Sequence, residues 1–356
     1  KIERNFSQRV EAARLALDRF SPDVMMVQFQ DTDLLQHMVF DCVSPRTRDR
    51  YPQQRDRLFR MFKKLDDCIS EILKMACDEN CSVTVVSDHG LCKMRGVIHP
   101  NALLFNLGYI KPLPLIDLAK RRLVLAMQKL GILKNVKLTL EQKMRIDWKS
   151  SRAMVLYPAL SGYVYLNVKG RNKDGCVEPA AEYARLVSEL RTIFSKMRDP
   201  LMNEPLFEFV GTPAELYSVD NPDPELVGDL VLVPKGGYIV RQTFSRRAKP
   251  VEMLNKDSIE GNHCHNGIYI FNGPGIRKSN GSQAHIVDVA PTLMTMLGAE
   301  VGSYMDGKVV ENAFSARPNV RYRSSHEQSP GMRREKHFSQ ENESEMTRRW
   351  ADLGYF

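Results

Sequence analysis

The chain has 356 residues, 43% apolar and 26% charged, enough to bury a full core and longer than one domain usually needs. A net charge of +8 with a pI near 9.0 suits an anionic partner. The basic residues are nevertheless scattered, with their densest run from Arg317 to Arg334 and no aromatic-basic module beside them, so no nucleic-acid-binding module is expected.

Seven cysteines, an odd set without CxxC spacing, predict neither a disulfide framework nor a zinc-finger cage and fit a reducing, cytoplasmic compartment. No apolar run reaches ~18 residues, so no transmembrane segment is expected. The first residue is Lys1, and a preceding segment would carry any signal peptide. Sequons at Asn5, Asn280 and Asn342 would matter only in a secreted protein.

In chain order, Phe6, Val10, Ala13, Leu17 and Phe20 repeat at helical spacing until Ser21-Pro22. The apolar run Asp23 to Phe29 then reads as a strand. A helix around Leu58 to Ala76 follows, and after it the strand "SVTVV" runs into Asp88. Strand, helix, strand predicts a parallel pair with a right-handed crossover, and ligands in such sheets sit beyond the carboxyl ends of the strands.

From Tyr109 the pattern loosens into a basic helical stretch, Leu115 to Leu130, the short strand "GYVYLNV" from Gly162 to Val168, and a helix from Glu178 to about Met197. Regular character returns with "GIYIF", Gly267 to Phe271, and with a helix bounded by Asp288 and Gly298 that carries Pro291 in its first turn. The predicted fold is α/β, a mostly parallel sheet sandwiched by helices, with an inserted α+β cap. Residues 1–108 form the first part of the core, 109–245 the cap and 246–314 the second part of the core. Residues 315–356 form a polar basic tail ending in a short docking segment.

Asp33 and His37 lie four residues apart, one helical turn, so both can face one cation. Asp88-His89 adds a carboxylate and an imidazole at another strand end, and Asp with His suits zinc and other first-row metals. Each pair also has a plain reading: Asp33 as a helix cap with His37 in solvent, and Asp88 to Gly90 as an ordinary turn. "GNHCHNG", Gly261 to Gly267, adds His263 and His265 before a further strand.

In order and context, "DTDLLQH", "VVSDHG", "GNHCHNGIYIFNGPGI", "HIVDVAPTLMTMLG" and "MDGKVV" resemble the alkaline phosphatase superfamily in its type I phosphodiesterase and nucleotide pyrophosphatase branch. The resemblance runs from about residue 20 to the last residue. It implies an alkaline phosphatase-like core and two divalent metal ions, zinc first, with manganese or iron as alternatives. Asp33, His37 and His263 would hold one ion, and Asp88 and His89 half of the other.

An Asp and a Ser or Thr nucleophile that complete the second site are implied before the helix at Phe6, upstream of Lys1, and Ser7 within the helical pattern is a poor substitute. The implied activity is hydrolysis of a small phosphorylated substrate, of phosphodiesterase or nucleotide pyrophosphatase type. A phosphomonoesterase or mutase, and a non-catalytic metal-binding remnant, remain alternatives. Lys169 and Arg171 in "NVKGRNKDG" could reach an anionic substrate group or be solvated charges beside a turn at Gly170. The oligomeric state leaves no signal in the sequence.

Overall fold

A computed structural model describes residues 1–78, 80–130, 146–156, 161–242, 248–279 and 283–324. The predicted docking segment at the chain end and the sequons at Asn280 and Asn342 lie outside them. The first elements are helices α1 (Ile2–Phe20), α2 (Asp31–Val39) and α3 (Pro52–Ala76), strands β1 (Val83–Val86), β2 (Gly90–Lys93) and β3 (Gly96–Ile98), and helices α4 (Pro100–Asn106) and α5 (Leu115–Lys129). Then come β4 (Ala153–Leu156), β5 (Gly162–Leu166), α6 (Ala181–Ser195), β6 (Phe207–Gly211), β7 (Leu230–Pro234), β8 (Tyr238–Val240) and β9 (Val251–Met253). β10 (Gly261–Cys264), β11 (Tyr269–Asn272), α7 (Val289–Met296), β12 (Val301–Gly302) and β13 (Tyr322–Arg323) complete the order.

The chain divides into two compact units, Lys1–Thr32 with Asp56–Gly90 and Asn266–Phe356, and Asp33–Arg55 with Leu91–His265. In the first, Phe6, Val10 and Ala13 of α1 close on Cys68 and Ile72 of α3. The i, i+4, i+7 spacing on α1 forms the stripe that burial requires. Ser21 ends α1 in the left-handed region at φ 42°, returning its N–H to Leu17 O, just where Pro22 forbids another turn.

Asp23 to Phe29 forms neither helix nor strand and joins no ladder among the described residues. Its alternate residues Met25, Val27 and Phe29 pack on the α1–α3 cluster, Phe29 edge-on to Phe6 at 5.7 Å. β1 pairs instead with β11, antiparallel, with Val85 opposite Ile270. The predicted parallel pair is thus corrected: the apolar run read as a strand is satisfied by packing on helices.

The second unit is built on the antiparallel sheet β4-β5-β7-β6. Leu186, Leu190 and Phe194 of α6, at i, i+4 and i+8, share one core with Val164 and Leu166 of β5 and Leu230 and Leu232 of β7. The short link from β4 to β5 allows only an antiparallel return, because a parallel one needs a crossover of a dozen or more residues. Smaller sheets, β8-β3-β9 and β10-β2, complete this unit.

The fold is α/β, as expected, but the described sheets are small and mostly antiparallel, with β3–β8 and β12–β13 paired in parallel. No disulfide was expected from the cysteine spacing, yet Cys77 and Cys81 are joined by one. The chain turns beyond α3 through Cys81 N–H to Asp78 O, which brings the two Cα atoms to 5.1 Å, within disulfide reach. Among the described residues, no helix is long and apolar enough to cross a membrane.

Candidate metal centre

The second unit gathers a carboxylate and two imidazoles. α2 carries Asp33 and His37 on one face, as the four-residue spacing requires, while Leu35 turns into the protein. β10 supplies His263. Helix and strand meet at Gly261, where a Cβ would stand 2.6 Å from Gln36 O and 2.7 Å from Phe40 Cβ. Only the absence of a side chain lets the helix backbone ride this close.

That approach also orients the imidazole, since His37 Nδ1–H donates to Gly261 O at 2.9 Å and, in the neutral ring, Nε2 is left to offer a lone pair. The three donors converge: His37 Nε2 is 2.8 Å from His263 Nε2, and Asp33 Oδ1 is 3.1 Å from His263 Nε2 and 3.3 Å from His37 Nε2. Burial disfavours the Asp33 anion, but hydrogen bonds from His263 and His37 outweigh it and hold the carboxyl well below the usual range. The hydrogen bond to Asp33 in turn raises His37 against the opposing effect of its burial, and the Gly261 carbonyl adds to the rise.

Two imidazole nitrogens facing each other at 2.8 Å beside a carboxylate share a proton when no cation joins them. Replacing that proton by a divalent ion satisfies all three at once, and the Asp/His₂ donor set is the borderline mixture that zinc prefers. The edges of 2.8–3.3 Å are close to the ~3.3 Å between two ligands of a tetrahedral zinc. The residues present therefore fit the ion that the sequence resemblance implies.

Asp88 and His89 lie in the first unit, directly after β1. His89 N–H donates to Asp88 Oδ1 at 3.1 Å, and its Nδ1 lies 3.2 Å from Gly90 O. The Asp88 side chain is 84% exposed and that of His89 18%, an acid reaching outward beside a mostly covered imidazole. Gly267 closes the turn, because a Cβ there would fall 2.4 Å from Ser87 Oγ, which accepts from Ile268 N–H at 2.8 Å.

The two basic residues near Gly170 are engaged within the protein. Lys169 pairs with Glu178 at the surface. Arg171 spans Asp229 through two nitrogens, at 2.7 and 2.8 Å, and donates to Leu166 O at 2.6 Å. Asp229 is fully covered and also accepts from Tyr183 Oη and Leu166 N–H, which makes this a satisfied buried pair. His265 stands apart from the three donors, 2.6 Å from Glu208 at the surface.

The role of Gly261 was invisible in the sequence. A glycine two residues before a histidine is visible there, but nothing local says that its carbonyl orients an imidazole 224 positions away.

The sequence pattern of the family described as type I phosphodiesterase / nucleotide pyrophosphatase matches residues 1–264, which contain all five proposed metal ligands. The chain belongs to this family. No curated protein matches it. Among solved structures, phosphonoacetate hydrolase from Sinorhizobium meliloti 1021 in complex with phosphonoformate is similar at 14% identity, and the same enzyme with phosphonoacetate at 15%. Both align over 78% of this chain and 52% of theirs, with a TM-score of 0.41. The chain thus spans about half the length of these hydrolases.

Proposed function

We propose that the protein, in its full-length form, is a metal-dependent hydrolase of phosphate esters, of the phosphodiesterase or nucleotide pyrophosphatase type. The observation that carries this reading is the convergence of Asp33, His37 and His263 from segments more than two hundred positions apart, in a chain of this family. In the proposal they hold one divalent ion, zinc first, with manganese or iron as alternatives, and Asp88 and His89 supply ligands to a second. Such ions act as Lewis acids on phosphoryl oxygens and activate oxygen nucleophiles.

The chain's own groups prepare the site. Asp33 is held ionised and supplies the negative charge that offsets a cation. Gly261 O fixes the ring of His37, and uptake of an ion competes with the proton between His37 Nε2 and His263 Nε2. The attacking hydroxyl is proposed to be a Ser or Thr preceding Lys1, and residues 109–245 a cap that selects the small phosphorylated substrate. Lys169 and Arg171 are proposed to act on that substrate only where its anionic group displaces Glu178 or Asp229.

Hydrolysis of bis(p-nitrophenyl) phosphate by the full-length protein tests this reading. Turnover lost on chelation, restored by zinc or manganese, and lowered at least about a hundredfold by His263→Ala is expected. Turnover indifferent to both chelation and the substitution would contradict it.

A further inference from the structure

We infer that Lys93 is a positioning residue for the Asp33, His37 and His263 cluster, an inference that rests on the metal-binding reading above. The cluster has two halves, α2 with Asp33 and His37, and β10 with Gly261 and His263. The donors' own ties between the halves are the hydrogen bonds from His37 Nδ1 to Gly261 O and from His263 Nε2 to Asp33, and the second gives way when a cation takes the donor atoms.

Lys93, on β2 beside β10, ties both halves with one ammonium group. Its Nζ donates to the carboxylate of Asp41, in the helical turn Phe40–Val43 that directly continues α2. It also donates to Lys256 O at 2.9 Å, in the loop that leads into β10. Asp41 adds a backbone clamp between the same two segments, donating its N–H to Ile259 O at 2.9 Å.

The Lys93 side chain is 24% exposed and that of Asp41 14%. The ion pair is thus shielded from water and geometrically committed, unlike a surface pair that swings freely. Together with the close approach at Gly261, it fixes α2 in depth and direction against β10. Ligands placed this way pay their ordering cost before the cation arrives.

The test uses the full-length protein and its Lys93→Met, Lys93→Arg and Asp41→Asn variants, with two readouts. In metal-free protein, amide hydrogen exchange at Asp41 is expected to speed up about tenfold or more in Lys93→Met and Asp41→Asn, while exchange at Leu232 in the core of the unit stays unchanged. Zinc affinity, measured by competition with a chromophoric chelator, is expected to fall about tenfold in both, with Lys93→Arg recovering most of it.

Unchanged Asp41 exchange with unchanged zinc affinity in Lys93→Met overturns the inference. So does faster exchange with wild-type affinity, which leaves Lys93 merely structural. If the wild type binds no divalent ion, the metal reading falls, and exchange at Asp41 alone then decides the clamp.

Discussion

Asp33 and His37 stabilise each other's charged forms, and the consequence for metal-free protein has a definite sign. Asp33 is depressed by its imidazole partners, so its contribution to stability is present above the ordinary carboxylate value and is lost as pH falls through the folded one. His37 is raised, so its contribution is full below the ordinary imidazole value and is lost as pH rises through the folded one.

The pair therefore stabilises metal-free protein most between about pH 4 and about pH 6.5. Urea denaturation across pH should show this optimum in the wild type and its flattening in Asp33→Asn. Added zinc should shift the wild-type optimum upward, because the ion needs His37 unprotonated.

At this scale the sequence is partly transparent. That Asp33 and His37 share a face follows from their spacing. That Arg171 is committed to Asp229, 58 positions onward, does not, because a charge in a sequence carries no address for its partner.

At the scale of elements, the contact between α2 and β10 decides whether the site exists. In Gly261→Ala the new methyl meets the backbone carbonyl of Gln36 and the Cβ of Phe40, neither of which can rotate away. α2 must lift from the strand, at a cost of about 1–3 kcal/mol, and His37 loses its carbonyl partner. Gly275, with φ +75° and open space around its Cβ position, provides a comparison. Alanine there should cost about 1 kcal/mol through backbone conformation alone and leave zinc affinity untouched. Zinc titration and urea denaturation of both variants separate the two effects, and equal zinc affinities would contradict the close-approach account.

Helix signals served well on this scale. The stripe from Phe6 to Ala13, the turn at Ser21-Pro22 and the Pro291 to Gly298 segment are local patterns, and the structure has helices at the first and last and ends α1 at the turn. Strand pairing was harder to read. Val83 to Val86 is a strand by composition, but its partner, Tyr269 to Asn272, lies far along the chain, and the nearer candidate, Asp23 to Phe29, uses its alternation against helices instead.

For the molecule as a whole, the chain order of short motifs announced the family, while their distribution over two structural units did not show in the sequence. Asp33, His37 and His263 belong to one unit and Asp88 and His89 to the other, because the chain crosses from one to the other several times. Cys77 and Cys81 illustrate the same limit on a smaller span. Their spacing matches no familiar motif, and only the turn at the end of α3 brings them together.

The central claim is that Asp33, His37 and His263 bind a divalent ion. The most direct measurement is elemental analysis of the full-length protein after dialysis against trace zinc, manganese and iron, for the wild type and for His37→Ala and His263→Ala. Each substitution should lower the bound metal by one ion per chain while the fold, followed by circular dichroism, persists. Bound metal that is absent from the wild type, or equal in all three proteins, would contradict the account.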